Sequence, residues 1–457
     1  MRRFLLIFIV VLLIICLATL AWNRQTASNL LPEIEPAISF TFGQGKSFSS
    51  QCNDRMPEVT LPKSSIAPSE LAVIVNDRDP QSVAVGSYYQ QRRNIPTENV
   101  IHVELPPGVD EIAPATFQSI KSQVDAALDT KIQAIALSFS RPFRVGCMSI
   151  TSAFTLGYDD SFCKSKQLKI CRLPKIVPYY NSDSVAPFTD LGIRPSMMLA
   201  GATSAEVFQL IDRGVVADAK FPKAAGYLIT TTDKNRSTRN GEFSLLSKIW
   251  NNNSGWKIKY LNNAGGKVGS DFITKTKDVL FYFTGLTRVP KIETNRYLPG
   301  AIADHLTSAG GFLFSSGQMS VLNWLNAGVT ASYGTVVEPC NLTEKFPNPE
   351  IVVRNYYKGQ TALEAYWKSV ASPQEGVFVG EPLASPMKVK ITENKDYLSL
   401  KLSSLEPNKK YQVYGAERPE GVYLPVSEAF GIPSYQTVQM NYYCDKLYYK
   451  LREITEK

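Results

Sequence analysis

Histidine is almost absent, with His102 and His305 the only two in 457 residues. Two imidazoles exclude a His-rich metal site and confine any histidine base to those positions. Long apolar runs are as scarce, because Phe4–Trp22 has no counterpart elsewhere in the chain. One helical passage through a membrane is therefore the most the sequence allows. The net charge is +8, but there is no concentrated Lys/Arg run, so nucleic acid is not an expected partner. Two familiar loops are missing as well. Gly45-Lys46-Ser47 ends like a phosphate-binding loop, yet Phe40 stands where its first glycine belongs. Ser315-Ser316-Gly317 follows an apolar run, yet Leu313 and Phe314 occupy the places where a nucleophile elbow needs glycine. Asp159-Asp160 reads as a pair of turn residues rather than a cation site, and neither a metal nor an organic cofactor is expected.

What is present begins at the amino terminus. Phe4–Trp22 follows Arg2 and Arg3 and spans roughly 28 Å as a helix, close to the ~30 Å hydrocarbon core of a bilayer. The arginines place the amino terminus in the cytoplasm and the body on the periplasmic or extracytoplasmic side. Small residues spaced for signal cleavage are lacking, and Trp22 suits an interfacial anchor, so the segment is expected to stay attached. Six cysteines follow it, Cys52, Cys147, Cys163, Cys171, Cys340 and Cys444, an even number suited to a compartment that permits disulfides. Expected partners are the membrane, through this helix, and a cell-wall polymer or another envelope protein.

Residues 23–69, rich in Ser, Pro, Asn and Gln, read as a stalk. From Leu71 short β-rich runs alternate with helical stretches. Leu71–Val75, Val100–Leu105 and Ile132–Phe139 read as strands, and Ser82–Arg93 and Pro114–Leu128 as helices. That alternation predicts an α/β domain over 70–383, a three-layer sandwich around a mostly parallel sheet, with an insertion at 141–195 that builds loops. Further strands are expected at Met197–Gly201, Tyr227–Thr232, Val279–Phe283, Gly311–Phe314, Val329–Thr335 and Val377–Val379. Beyond Pro382 the pattern becomes alternating, and 384–457 reads as a small all-β, sandwich-like domain.

Chemistry is concentrated in few places. Gly300–Gly310 reads as a helix carrying Ala301, Ile302, His305 and Leu306 on one face, where a buried, hydrogen-bonded histidine is the plainer reading. Gly328–Asn341 runs from a buried strand into a polar loop, the kind of strand end at which ligands collect. Cys340 there is a candidate thiolate nucleophile, with His305 as base and Glu338 orienting it. In a disulfide Cys340 is inert. The alternative is a binding surface, for which Tyr179, Tyr180 and Asn181 in the insertion, with Ser315 and Ser316, are the candidate ligand contacts.

Several stretches together carry a resemblance. Leu71-Ala72-Val73-Ile74-Val75-Asn76 with Asp79-Pro80-Gln81-Ser82-Val83-Ala84, Tyr88-Tyr89, Asn94-Ile95-Pro96, Ala303–Ser308, Ala331–Cys340 and Val379–Leu383 resemble a bacterial family of exported proteins that carries no established activity. More distantly, the chain resembles the gingipain and caspase-like cysteine peptidases, which implies an α/β sandwich and, as in gingipains, a following immunoglobulin-like domain. In that comparison Val279–Phe283 resembles the strand that ends in the catalytic His-Gly, and Gly311–Ser316 the strand that ends in the catalytic cysteine. Thr284-Gly285 and Ser315-Ser316-Gly317 stand at those places, so the resemblance implies the fold without its usual dyad. Two readings follow: an envelope-anchored binding or scaffold protein, or a cysteine-peptidase-like hydrolase with a relocated Cys340–His305 pair.

Overall fold

The computed structural model describes residues 32–43, 55–161, 175–250, 254–266, 269–314 and 317–454. The apolar run Phe4–Trp22, the cysteines Cys52, Cys163 and Cys171, and the candidate contacts Ser315 and Ser316 lie outside them. Among the described residues no helix is long and apolar enough to cross a membrane.

A ten-stranded sheet organises the α/β body. Across it the strands run Trp256–Asn262, Ala224–Thr230, Val279–Thr284, Tyr297–His305, Ala331–Thr335, Gly376–Gly380, Ser196–Met198, Ala134–Leu137, Leu71–Asn76 and Val100–Val103. Every neighbouring pair is parallel except the central one, where Ala331–Thr335 meets Gly376–Gly380 antiparallel. The sheet is therefore two five-stranded parallel halves facing opposite ways. Within each half, numbering strands by chain order gives the spatial order 2-1-3-4-5, so both halves are doubly wound in the same manner.

Burial on both faces explains the strand sequences. Leu71, Val73 and Val75 enter one apolar cluster with Val85 and Tyr89 of helix Pro80–Arg93, while Ala72 and Ile74 enter another with Phe117, Ile120 and Val124 of helix Pro114–Ala127. Helices Asn240–Ile249, Pro349–Tyr357 and Ala362–Ser369 add to the first cluster, so the body has helix, sheet and helix layers. Sequence supplies the helix starts: Asp79 accepts from the Gln81 N–H at 3.0 Å ahead of Pro80, and Thr361 and Glu364 form a reciprocal capping box. Asn94 ends the first helix at φ +51°, a left-handed conformation asparagine tolerates well.

Three expectations need correction. Gly300–Gly310 is not a helix, because Tyr297–His305 is a strand whose last six residues are buried. A strand covered on both faces has no alternation to display, and its apolar residues fell by chance at helical spacing. Gly311–Phe314 forms turns and bends, not a strand. Finally, the stretch read as a stalk contributes two strands: Ile38–Phe42 pairs parallel with Val438–Tyr443, and Glu58–Thr60 pairs parallel with Tyr448–Ile454. These complete two sheets that pack face to face, with Leu398, Leu400, Val413, Met440, Tyr442 and Leu451 between them.

Candidate functional site

In doubly wound sheets the crevice outside the carboxyl ends of strands 1 and 3, where the order reverses, is the natural ligand position. This chain has two such places, and both are clasped by hydroxyls. In the first half the Asn76 N–H donates to Ser82 Oγ at 2.8 Å, and Ser138 Oγ donates to the Ile74 carbonyl at 3.0 Å. In the second the Thr231 N–H donates to Ser237 Oγ at 2.9 Å, and Thr284 Oγ1 donates to the Ile229 carbonyl at 3.2 Å. Each serine follows its backbone donor by six residues, and each accepting carbonyl precedes that donor by two.

The second half adds charge to its clasp. Arg239, at the start of helix Asn240–Ile249, donates to Asp304 at 2.6 Å, to the Thr284 carbonyl at 2.8 Å and to the Pro347 carbonyl at 3.1 Å. Both members of the Arg239–Asp304 pair are 1% exposed. Burial holds the Asp304 carboxyl above the usual carboxylate range, against the pull of Arg239. Glu242, one turn into the same helix, is pushed up to about 7 by burial, with Glu344 and Asp304 adding to the rise and Arg239 opposing it. Among the described residues Thr238 Oγ1, Arg239 Nε, Glu242 Oε2 and Asp304 Oδ2 are buried without a hydrogen-bond partner. Donors and acceptors of this kind suit a polar ligand or ordered water.

The predicted trio is placed quite differently. His305 ends its strand on the face opposite Asp304, is 1% exposed, and has both ring nitrogens occupied. Trp324 Nε1–H donates to Nδ1 at 3.0 Å, which makes Nε2 the protonated nitrogen that donates to the Met319 carbonyl at 3.1 Å. Burial, with Arg239, Arg236 and Arg288 nearby, pushes its pKa down to about 3, so the ring is neutral and sealed. Cys340 is disulfide-bonded, as are Cys147 and Cys444. Its sulfur is no thiolate, and Glu338 accepts from the Cys340 N–H at 3.0 Å in a turn instead of orienting a histidine. Thr284 is buried, with its hydroxyl donating to the Ile229 carbonyl. His305 therefore has no free lone pair and Cys340 no free thiol in this arrangement.

The predicted binding loop is only partly a surface. Tyr179 is buried, with Lys368 Nζ 5.2 Å from its ring centroid and its hydroxyl unpartnered. Tyr180 is half-buried, and its hydroxyl is pushed up by burial and by Glu242, Glu350 and Glu344, which places this loop beside the second clasp. Asn181 is exposed and accepts from Arg354 at 2.6 Å. No group of three or more His, Cys, Asp or Glu suited to a metal occurs among the described residues. Arg239, Asp304 and Glu242 were missed, although the signal was available: Thr231…Ser237 repeats the spacing of Asn76…Ser82.

No family model matches the chain, and no curated protein matches it. One solved structure, described as "Structure of Protease", is similar over 85% of this chain and 97% of that chain, at 10% identity and a TM-score of 0.36. A likeness that loose carries no argument about activity.

Proposed function

We propose that the protein is a non-catalytic binding or scaffold protein of the cell envelope, held at a membrane by Phe4–Trp22 and built on a gingipain-like α/β scaffold. The state of His305 supports this most directly: both of its nitrogens are committed inside the core, while the other histidine, His102, is exposed on an outer strand and paired with Asp77 at 2.6 Å. The oxidised Cys340 and the spent hydroxyl of Thr284 point the same way. The apolar run behind Arg2 and Arg3 supports the placement, and a wall polymer or envelope protein is the proposed partner.

The test is alkylation of the full chain in detergent micelles, without reductant, across pH 5 to 9, with His305 followed by NMR. Cys340 is expected to stay unlabelled and the imidazole to stay neutral to about pH 4. Because the folded pKa lies below the ordinary 6.5, stability contributed by neutral His305 is present above 6.5 and is lost as pH falls toward about 3. Labelling of Cys340 at acid pH that disappears in His305→Ala would overturn the proposal.

A further inference from the structure

Four parallel strands of the second half begin along one edge of the sheet, with Ala224 opposite Trp256, Ala225 opposite Val279 and Val279 opposite Tyr297. That edge is basic. Lys223, Lys257, Lys277 and Arg296 stand within two residues of those starts. Lys275 and Lys291 stand in the adjoining turns, where the Lys275 N–H donates to Thr294 Oγ1 at 3.1 Å and Thr294 Oγ1 donates to the Lys291 carbonyl at 2.7 Å. We propose that this edge is a docking surface for the headgroups of anionic phospholipids, which lay the α/β body against the bilayer that holds it. This docking rests on the membrane-held reading and adds the surface that faces the lipid.

Three observations carry it. The first is unspent charge: all six of these residues are exposed, none has an ion-pair partner among the described residues, and Asp278 and Glu293 are the only carboxylates in the same segments. On the neighbouring β-sheet, by contrast, Lys390 and Lys401 are already engaged with Glu33 at 3.0 and 2.7 Å. Exposed cations gathered on one edge attract an anionic surface within a Debye length of ~8–10 Å and lose that attraction in salt. The second is where the chain enters the body. The Lys223 N–H donates to the Pro32 carbonyl at 2.8 Å and the Ile34 N–H donates to the Phe221 carbonyl at 2.7 Å, both at this edge. Pro32 follows Trp22 by ten residues, a stretch that reaches about 36 Å at most. So short a tether holds even a weakly attractive edge at high effective concentration beside the lipid, ahead of any free polyanion. Thirdly, among the described residues no exposed large apolar side chain belongs to these strand starts or turns, which fits a headgroup layer and not the acyl core.

The experiment inserts the full chain into vesicles of phosphatidylcholine alone or with added phosphatidylglycerol, and follows acetylation of each lysine by an uncharged ester with mass spectrometry. Lys223, Lys257, Lys275, Lys277 and Lys291 are expected to react roughly fivefold more slowly on the anionic vesicles, with the protection gone in molar salt. Lys234, beyond the far end of strand Ala224–Thr230, should react at one rate on both. Lys275→Glu combined with Lys277→Glu, checked for folding by a thermal melt, should cut the protection of Lys223 and Lys291 to under about twofold. Equal rates on the two kinds of vesicle, or protection unchanged in the folded variant, overturns the docking surface. Protection by a soluble anionic polymer, teichoic acid, that the charged vesicles do not reproduce also overturns it and gives the edge to the wall. Flotation with the neutral vesicles tests the anchor by itself: a chain left behind sinks the membrane-held reading, while salt-sensitive protection on the anionic vesicles still supports the docking surface.

Discussion

The two halves of the central sheet have the same strand order and the same hydroxyl clasp, but they spend charge differently. In the first half the clasp of Asn76, Ser82 and Ser138 is neutral, and the charge lies away from it, where Arg93 meets Glu381 and Asp218 near the seam between the halves. In the second half the clasp itself is lined with charge, through Arg239, Asp304 and Glu242, and through Arg236 paired with Asp233 at 2.9 Å. The hydroxyl clasp is thus the part the two halves share. The charges are where they differ: among the described residues the first clasp leaves Asn76 Nδ2 unpartnered, whereas the second leaves Thr238 Oγ1, Arg239 Nε, Glu242 Oε2 and Asp304 Oδ2.

The largest expected effect comes from the seam. Glu381 accepts from Arg93 Nε at 3.0 Å and from Tyr89 Oη at 2.7 Å, with its side chain fully buried. Glu381→Ala leaves a buried guanidinium with Asp218 alone and should cost about 3–5 kcal/mol in urea unfolding. A cost under ~1 kcal/mol would show that the halves do not depend on this contact. Next is Gly285→Ala. A Cβ there would lie 1.8 Å from the Arg236 carbonyl oxygen, whereas the matching position after Ser138 is occupied by Phe139. A loss of about 3 kcal/mol is expected, and a neutral outcome would mean the second reversal point is looser than its partner.

A direct comparison of the clasps follows from Ser82→Ala and Ser237→Ala. Each leaves one buried backbone N–H unpaired, so each should cost about 1–2 kcal/mol, and the double variant should cost their sum within ~0.5 kcal/mol. Unequal losses would break the equivalence of the halves. A pH titration separates their charges. Glu242 titrates at about 7 in the folded protein against an ordinary 4.5, so the folded state binds the proton more tightly than the unfolded one. Stability is then greatest below about 4.5 and declines as pH rises toward about 7, by roughly 3 kcal/mol. Glu242→Gln should flatten that slope, and a slope unchanged in the variant would place its origin elsewhere.

Much of the first half could be read directly, because its helices announce themselves. Asp79 with Pro80 starts one helix, Asn94 ends it, and the strands before and after carry unbroken apolar runs. The second half was harder. Tyr297–His305 is buried on both sides, so its residue types record burial and not direction of exposure, and His305 was drawn into a helix face that does not exist. The strands of Ile38–Phe42 and Glu58–Thr60 were hidden for another reason: they are held by partners about 390 to 400 residues away, and nothing nearby in the chain marks them.

What the sequence determined by itself is the inventory: one apolar segment, two histidines, a parallel α/β body and a terminal all-β region, each set by local composition and periodicity. Tertiary structure decided everything that depends on who meets whom. It joined two parallel halves across one antiparallel seam and set Asp304 and His305 on opposite faces of the same strand. The physical reason is that residue types report how much water a side chain avoids, whereas chemistry depends on which lone pairs and protons remain unspent once distant segments have packed together.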